Sequence, residues 1–407
     1  MSSHTRMYVP AWQGFTARDL FRPAHAGPRP FPFNAPHAAC FHTARSAIYQ
    51  LFRKLVEAGR ATVLAPDYHM GNELRAIRAA GARVVLYRVG RDLQPDLDSL
   101  RRHCAHGADV LFTIHYAGWP QPVGALRKLC DDRGLLLVED CALALFTETE
   151  GRPVGTFGDY AVFCLYKTLP VLDGGLLVQN RNVFPELDAL RPEPIGRAFE
   201  IGRAAELWID RYRGRSPRGG AALAAVKRSV GAALTALRVE RVPVGDVGFD
   251  PRRSLLGMSA WSRWMIGRLD LGDIRRRRRK NFHLLAGLLD GACKAVIREA
   301  PPGVCPLFFP LLVQDKGAAA RALWKRGIMA TELWNEGDPA SKEQEGRDAQ
   351  YLRRHVLELP IHQDVTEAHL HYMGRHVREV IGQIGSPTLD PLERHAEASA
   401  AVPVGSP

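Results

Sequence analysis

The chain predicts an α/β fold: a large domain with a mostly parallel central sheet covered by helices, and a smaller C-terminal α+β domain. Two observations carry that prediction. Short apolar runs alternate with amphipathic stretches from residue 43 to 139, at the spacing of repeated strand–helix units. After about residue 180 the alternation stops, and it restarts in shorter form beyond residue 281.

Residues 1–36 are rich in Pro and Gly and read as an arm wrapping the surface. Residues 43–58 form an amphipathic helix with Ile48, Leu51, Phe52 and Leu55 on one face. Ala61–Ala65 is a buried strand stopped by Pro66, and 72–80 is a helix ended by Gly81. Strand Arg83–Tyr87, helix 96–104, strand Asp109–Ile114, helix 122–133 and strand 135–139 follow, and then an apolar run over Tyr160–Leu165. Residues 185–245 read as a basic helical insertion. Its stretch 221–237 is amphipathic, of the kind that packs on its own domain, on a subunit partner or on a membrane surface. A helix and short strand at 281–300, a strand at Pro306–Val313 and a helix at 317–326 make the small domain. The expected division is an arm over 1–36, a large domain over 37–280, a small domain over 281–385 and a disordered tail over 386–407.

Composition narrows the function classes. Of 407 residues, 46% are hydrophobic and 24% charged, ordinary for a globular enzyme. No apolar run approaches the ~20 residues that span a membrane, so no transmembrane segment is expected. The N-terminus lacks the apolar core of a secretory signal. The seven cysteines are scattered without metal-ligand spacing, so reduced thiols in the cytoplasm are expected and no metal site. Net charge is +12, part of it in the unbroken run Arg275–Lys280. That run reads as a solvated helical stretch, and no nucleic-acid partner is expected because no aromatic-interleaved basic surface accompanies it.

The chemistry-bearing residues stand at strand ends. Asp140 closes the apolar run Leu135–Val138, and Lys167 closes the run Tyr160–Leu165, just before Asp173-Gly174-Gly175. Ligands of open α/β sheets bind at that edge. An amine and an acid delivered there are what a pyridoxal phosphate (PLP) site needs, the amine for a Schiff base and the acid to keep the pyridine nitrogen protonated. Spacing alone leaves open a helix cap for Asp140 and a solvated loop position for Lys167.

Several segments in order strengthen the PLP reading. They are Thr43-Ala44-Arg45-Ser46-Ala47, Pro66-Asp67-Tyr68-His69-Met70-Gly71, His115 to Gln121, Val138 to Ala142, Gly155 to Asp159, and Phe163 to Lys167 with Asp173-Gly174-Gly175. Through them the chain resembles the DegT/StrS-type sugar aminotransferases, fold type I PLP-dependent enzymes, over about residues 40–385. The resemblance implies Lys167 as the Schiff-base lysine and proton shuttle, and Asp140 as the partner of the ring N–H. It implies a phosphate cradle at Thr43, Ala44 and Arg45, with Cys164 near where a phosphate-binding Ser is common, and His69 over the ring, with Tyr68 and Met70 as neighbours that could take the same place.

Some positions depart from the family. Leu143 stands where a Gln or His normally meets the ring oxygen, and the Lys167 loop looks about two residues shorter. Gly248-Phe249-Asp250-Pro251-Arg252 is weakly similar to a segment that reaches a neighbouring subunit's site, and Glu358 to His362 is similar to a late turn of the small domain. The implied activity is amino transfer from an amino acid, Glu or Gln, to a keto sugar, nucleotide-linked, by a homodimer with a shared site. Two alternatives remain at this point. A sugar dehydratase-like enzyme would carry His in place of Lys167, and a basic scaffold would keep the fold without turnover.

Overall fold

A computed structural model describes residues 7–236 and 248–387, apart from 26, 105 and 106. The tail from 388 onward and residues 237–245 of the helical segment lie outside the described residues.

Seven strands form the main sheet: β1 (Ala38–Phe41), β2 (Thr62–Pro66), β3 (Arg83–Tyr87), β4 (Val110–Ile114), β5 (Leu136–Asp140), β6 (Tyr160–Cys164) and β7 (Gly175–Gln179). Their order is β1-β7-β6-β5-β4-β2-β3. All neighbours are parallel except β7, which runs against both β1 and β6. β4, β6 and β7 are buried along their whole length, as strands covered on both faces require.

Helices α1 (Ala44–Glu57), α2 (Asn72–Ala79), α3 (Leu97–Cys104) and α4 (Val123–Arg133) supply the crossovers. Ile48, Leu51, Phe52 and Leu55 of α1 are buried, as the apolar periodicity predicts. These bounds match the sequence expectation to within one or two residues, because each element is set by its own apolar run and end signal.

The 185–236 segment is mostly two antiparallel helices, α5 (Arg197–Arg215) and α6 (Pro217–Ala236), packed on one another. No helix of the described residues is long and apolar enough to cross a membrane. A second sheet, β8 (Lys294–Ala295), β9 (Phe308–Leu312), β10 (Thr331–Glu332) and β11 (Val356–Pro360), is antiparallel in the order β8-β9-β11-β10. Helices α7 (Leu271–Leu289), α8 (Lys316–Lys325), α9 (Arg347–His355) and α10 (Glu367–Ile384) accompany it. The boundary expected at 280/281 falls inside α7, which runs unbroken from one sheet to the other.

The basic run on α7 is not a solvated stretch throughout, and this corrects the sequence reading. Arg276 and Arg277 are exposed and pair with Asp273. Arg275 makes a two-pronged pair with Glu148, and Arg279 donates to the carbonyl of Pro301. Arg278 is fully buried. It donates to Gln363 Oε1, to the carbonyls of Leu307 and Thr168, and to Gln13 Oε1, at 2.9–3.2 Å. Helical period decides this: position 278 shares a face with Ile274, Phe282 and Leu285, all buried. The arm is bound as well, with Val9 bridging to Ile328 and Gly14 N–H donating to Asp364.

Candidate active site

Topology gathers the site. β7 starts where β1 and β6 end, so Gly175 pairs with both Phe41 and Cys164. Next along the same edge stand Asp140 and Ile114, which pair with each other. A cavity opens there, lined by Thr43, Ala44, Arg45, Ile48, Met70, Asn72, Glu73, Ile114, Asp140, Ala142, Leu143, Cys164, Tyr166, Lys167 and Trp334. Thus Thr43, Ala44, Arg45, Asp140, Cys164 and Lys167 converge on one space, although 124 positions separate the outermost two in the chain.

Asp140 is 6% exposed. One oxygen accepts the Ala142 N–H at 2.9 Å, and no other hydrogen bond to its carboxylate is made by the described residues. Burial raises its pKa, opposed by the Ala142 N–H and by the charges of Lys167 and His115. Lys167 ends a 3₁₀ turn, Leu165–Lys167, directly after β6. Burial also raises the pKa of the Cys164 thiol, which keeps it neutral.

Thr43 is the N-cap of α1. Its hydroxyl accepts the Ser46 N–H and meets the Ser46 hydroxyl at 2.9 Å. The first turn of α1 therefore presents backbone N–H groups and the positive end of the helix dipole to the cavity. Gly175 makes this possible: a Cβ there would lie 2.2 Å from the Thr43 carbonyl. Asp173 secures the same corner by binding His42, Ser259 and Ser262.

His69 does not line the cavity. It is buried behind the wall beside Glu345, and burial together with Arg353 and Arg78 lowers its pKa to about 3, so it stays neutral. Its neighbour Met70 lines the space instead. Two aromatic residues line the cavity, Tyr166 and Trp334, and Trp334 comes from the turn after β10. Trp334 packs on Tyr68 and Tyr116, with ring centroids 5.0 and 5.8 Å away, and holds a left-handed backbone at φ 45°. Gly71, at φ 105°, lets that turn approach, since a Cβ would lie 2.6 Å from the Gly337 carbonyl carbon. No local pattern marks Trp334, because its contacts are all distant in sequence. Glu73 was equally unmarked: it is 7% exposed and lines the cavity with Asp140 and Lys167.

One cluster has metal-ligand proximity among the described residues: His115, Glu139 and Cys141. Its main ligand atoms are already engaged. Glu139 accepts N–H groups from Gly155, Phe157 and Gly158 and meets His115 Nε2, whose Nδ1 accepts the Gln121 N–H.

The cavity fits the cofactor that the sequence resemblance implies. It offers a lysine amine, a buried carboxylate with an oxygen to spare, a helix N-terminus for phosphate, and apolar walls from Ile48, Ile114, Leu143 and Met70. Leu143 offers no hydrogen bond, as expected from its side chain.

Comparison with known proteins agrees. A sequence model of the DegT/DnrJ/EryC1/StrS aminotransferase family matches residues 33–187. GDP-perosamine synthase of Vibrio cholerae is 32% identical over 124 residues, 30% of this chain and 34% of that protein. The dTDP-4-dehydro-2,3,6-trideoxy-D-glucose 4-aminotransferase of Saccharopolyspora spinosa is 32% identical over 163 residues, 37% of this chain and 42% of the relative. The chain thus spans about two fifths or less of the length of these curated relatives. The fold match is longer. Helicobacter pylori PseC, an aminotransferase involved in pseudoaminic acid biosynthesis, superposes with a TM-score of 0.66 at 15% identity, over 93% of this chain and 100% of that one. The PLP-form of the putative sugar aminotransferase Spr1654 from Streptococcus pneumoniae gives 0.64 at 15% identity, over 93% and 99%. The residues that the DegT/DnrJ/EryC1/StrS aminotransferase model matches, 33–187, carry both the lysine and the acid of the cavity.

Proposed function

We propose that this protein is a PLP-dependent aminotransferase. It takes an amino group from an amino acid, glutamate or glutamine, and delivers it to a keto sugar, nucleotide-linked, in sugar or secondary-metabolite biosynthesis. The observation that supports this reading is the convergence of Lys167, Asp140 and the first turn of α1 on one cavity at the carboxyl edge of the sheet. Both curated relatives are named for steps on nucleotide sugars.

When bound, PLP would supply an electron-withdrawing ring that stabilises negative charge at the substrate carbon. Asp140, ionised, would hold the ring N–H by a charge-assisted hydrogen bond. Burial works against its ionised form, and a cationic N–H brought to its spare oxygen works for it. Lys167 would anchor the cofactor through its amine and, once released by substrate, move the proton at the substrate carbon. The α1 N–H groups and Arg45 would neutralise the phosphate. Ile48, Ile114, Leu143 and Met70 would exclude water. The net charge of +12 suits an anionic substrate.

The same reading includes a cytoplasmic homodimer with a shared site. The Pro251–Arg253 turn lies at the surface, with the Arg252 side chain 89% exposed, in the segment similar to one that reaches a neighbouring subunit.

Incubation with PLP, borohydride reduction and peptide mass spectrometry test the reading. A phosphopyridoxyl group on Lys167, absent in Lys167→Ala, is expected, as are aminated products from a panel of keto sugars and amino donors. A reduced adduct that survives in Lys167→Ala, or the absence of any aminated product, would overturn it.

A further inference from the structure

The cavity holds more acid than the expected chemistry uses. Asp140 is enough to hold a ring N–H, yet Glu73 lines the same space from the second position of α2. One Glu73 oxygen accepts the Met70 N–H at 2.7 Å, and the residue's own backbone N–H also favours its carboxylate. The titratable groups facing it come from each wall: Asp140 from β5, Cys164 from the end of β6, Tyr166 and Lys167 after it, Arg45 from the start of α1, and Tyr116 beyond β4.

We propose that Glu73 is a second acid–base residue of this site, one that tunes the proton affinity of the Lys167 nitrogen. The proposal rests on the PLP reading above and deepens it. Two ionised carboxylates in one water-poor cavity repel, so one of them keeps its proton. Asp140 has the Ala142 N–H, Lys167 and His115 to favour its anion. Glu73 has Lys167 and backbone N–H groups against burial and the Asp140 charge, which together push its pKa up to about 7.

Below that pH Glu73 is neutral and donates a hydrogen bond into a cavity where Leu143 donates none. Above it, Glu73 is an anion beside Lys167 and holds positive charge on the lysine nitrogen to higher pH. The site thereby couples one proton on a carboxyl to one proton on nitrogen, without either leaving the cavity wall. A helix-capping role alone would need only the acceptor for Met70, and a Gln side chain supplies that as well as Glu does.

Glu73→Gln separates the two roles. The measurement is a pH titration of the visible band of the PLP-loaded protein, without substrate. The wild type is expected to show a perturbation centred near neutrality that Glu73→Gln lacks. The alkaline midpoint of the band should fall by about one pH unit in the variant, the shift expected from removing one nearby opposite charge. PLP affinity should stay within a few-fold of wild type. An unchanged titration in a variant that binds PLP overturns the proposal and leaves the aminotransferase reading standing.

If Glu73→Gln fails to fold, infrared difference spectra of the wild-type holoprotein decide instead. A protonated carboxyl carbonyl band that disappears between about pH 6 and 8 is expected; no such band overturns the proposal. A wild type that takes up no PLP overturns both readings together.

Discussion

Gly175→Ala is the sharpest test of how the phosphate cradle is built. Gly175 opens β7 and lies under the turn that starts α1. A Cβ added there would lie 2.2 Å from the Thr43 carbonyl carbon and oxygen and 2.4 Å from the Ala44 nitrogen. These are backbone atoms, so no side-chain rotation relieves the overlap. Ordinary contact begins near 3.4 Å, so the turn must retreat by roughly 1 Å. Overpacking of this kind costs about 1–3 kcal/mol, and if that cost falls on the cradle, PLP binding weakens about five- to hundredfold. The assay is a PLP titration by absorbance, paired with thermal unfolding of the unloaded protein. Gly287→Ala is the control: nothing lies within 4 Å of its added Cβ, and it sits inside α7. That control should be neutral or stabilising by about 0.5–1 kcal/mol. Gly175→Ala with wild-type PLP affinity would show that the first turn of α1 does not hold the phosphate.

Two further outcomes follow from buried groups. Arg278→Met should lower stability by about 2–4 kcal/mol, because it strips donors from the Leu307 carbonyl and from the oxygens of Gln13 and Gln363; denaturant unfolding with a change below about 0.5 kcal/mol contradicts the bracing role. Burial lowers the pKa of His362 to about 3, from 6.5, and its Nε2 sits 3.0 Å from the Pro10 carbonyl. The unfolded chain then binds a proton below pH 6.5 that the folded chain refuses. This contribution is intact above pH 6.5 and is lost as pH falls from there toward 3. His362→Gln should flatten acid destabilisation in that window by up to one proton's slope, about 1.4 kcal/mol per pH unit. An unchanged slope means the ring is not neutral in the fold.

The parts of the site legible in the sequence are those fixed by a single strand end. Asp140 and Lys167 could be placed at one edge because each follows a fully apolar run, and parallel strands share a carboxyl edge. Thr43 could be placed because a cap needs only its own helix. What stayed hidden depends on two distant segments meeting. Which of Tyr68, His69 and Met70 faces the cavity turns on the conformation around Gly71, and that is set by close contact with Gly337. Trp334 reaches the site because β10 pairs with β11. Arg278 looked solvated among five consecutive arginines although its helical period with Ile274, Phe282 and Leu285 set it on the apolar face; what stayed hidden were its acceptors, which come from the arm and from distant segments. The sheet and its crossovers were legible throughout, and α7 runs without a break across the expected 280/281 boundary.

Arg278 joins Gln13 to the carbonyl of Thr168, one residue beyond Lys167, and Gln13 itself donates to the carbonyls of Tyr166 and Leu169. The leading segment is therefore a strut under the turn that carries Lys167. Trimming it away to improve expression or crystallisation would slacken the turn that carries Lys167 into the cavity, from a cut made far from that turn in sequence.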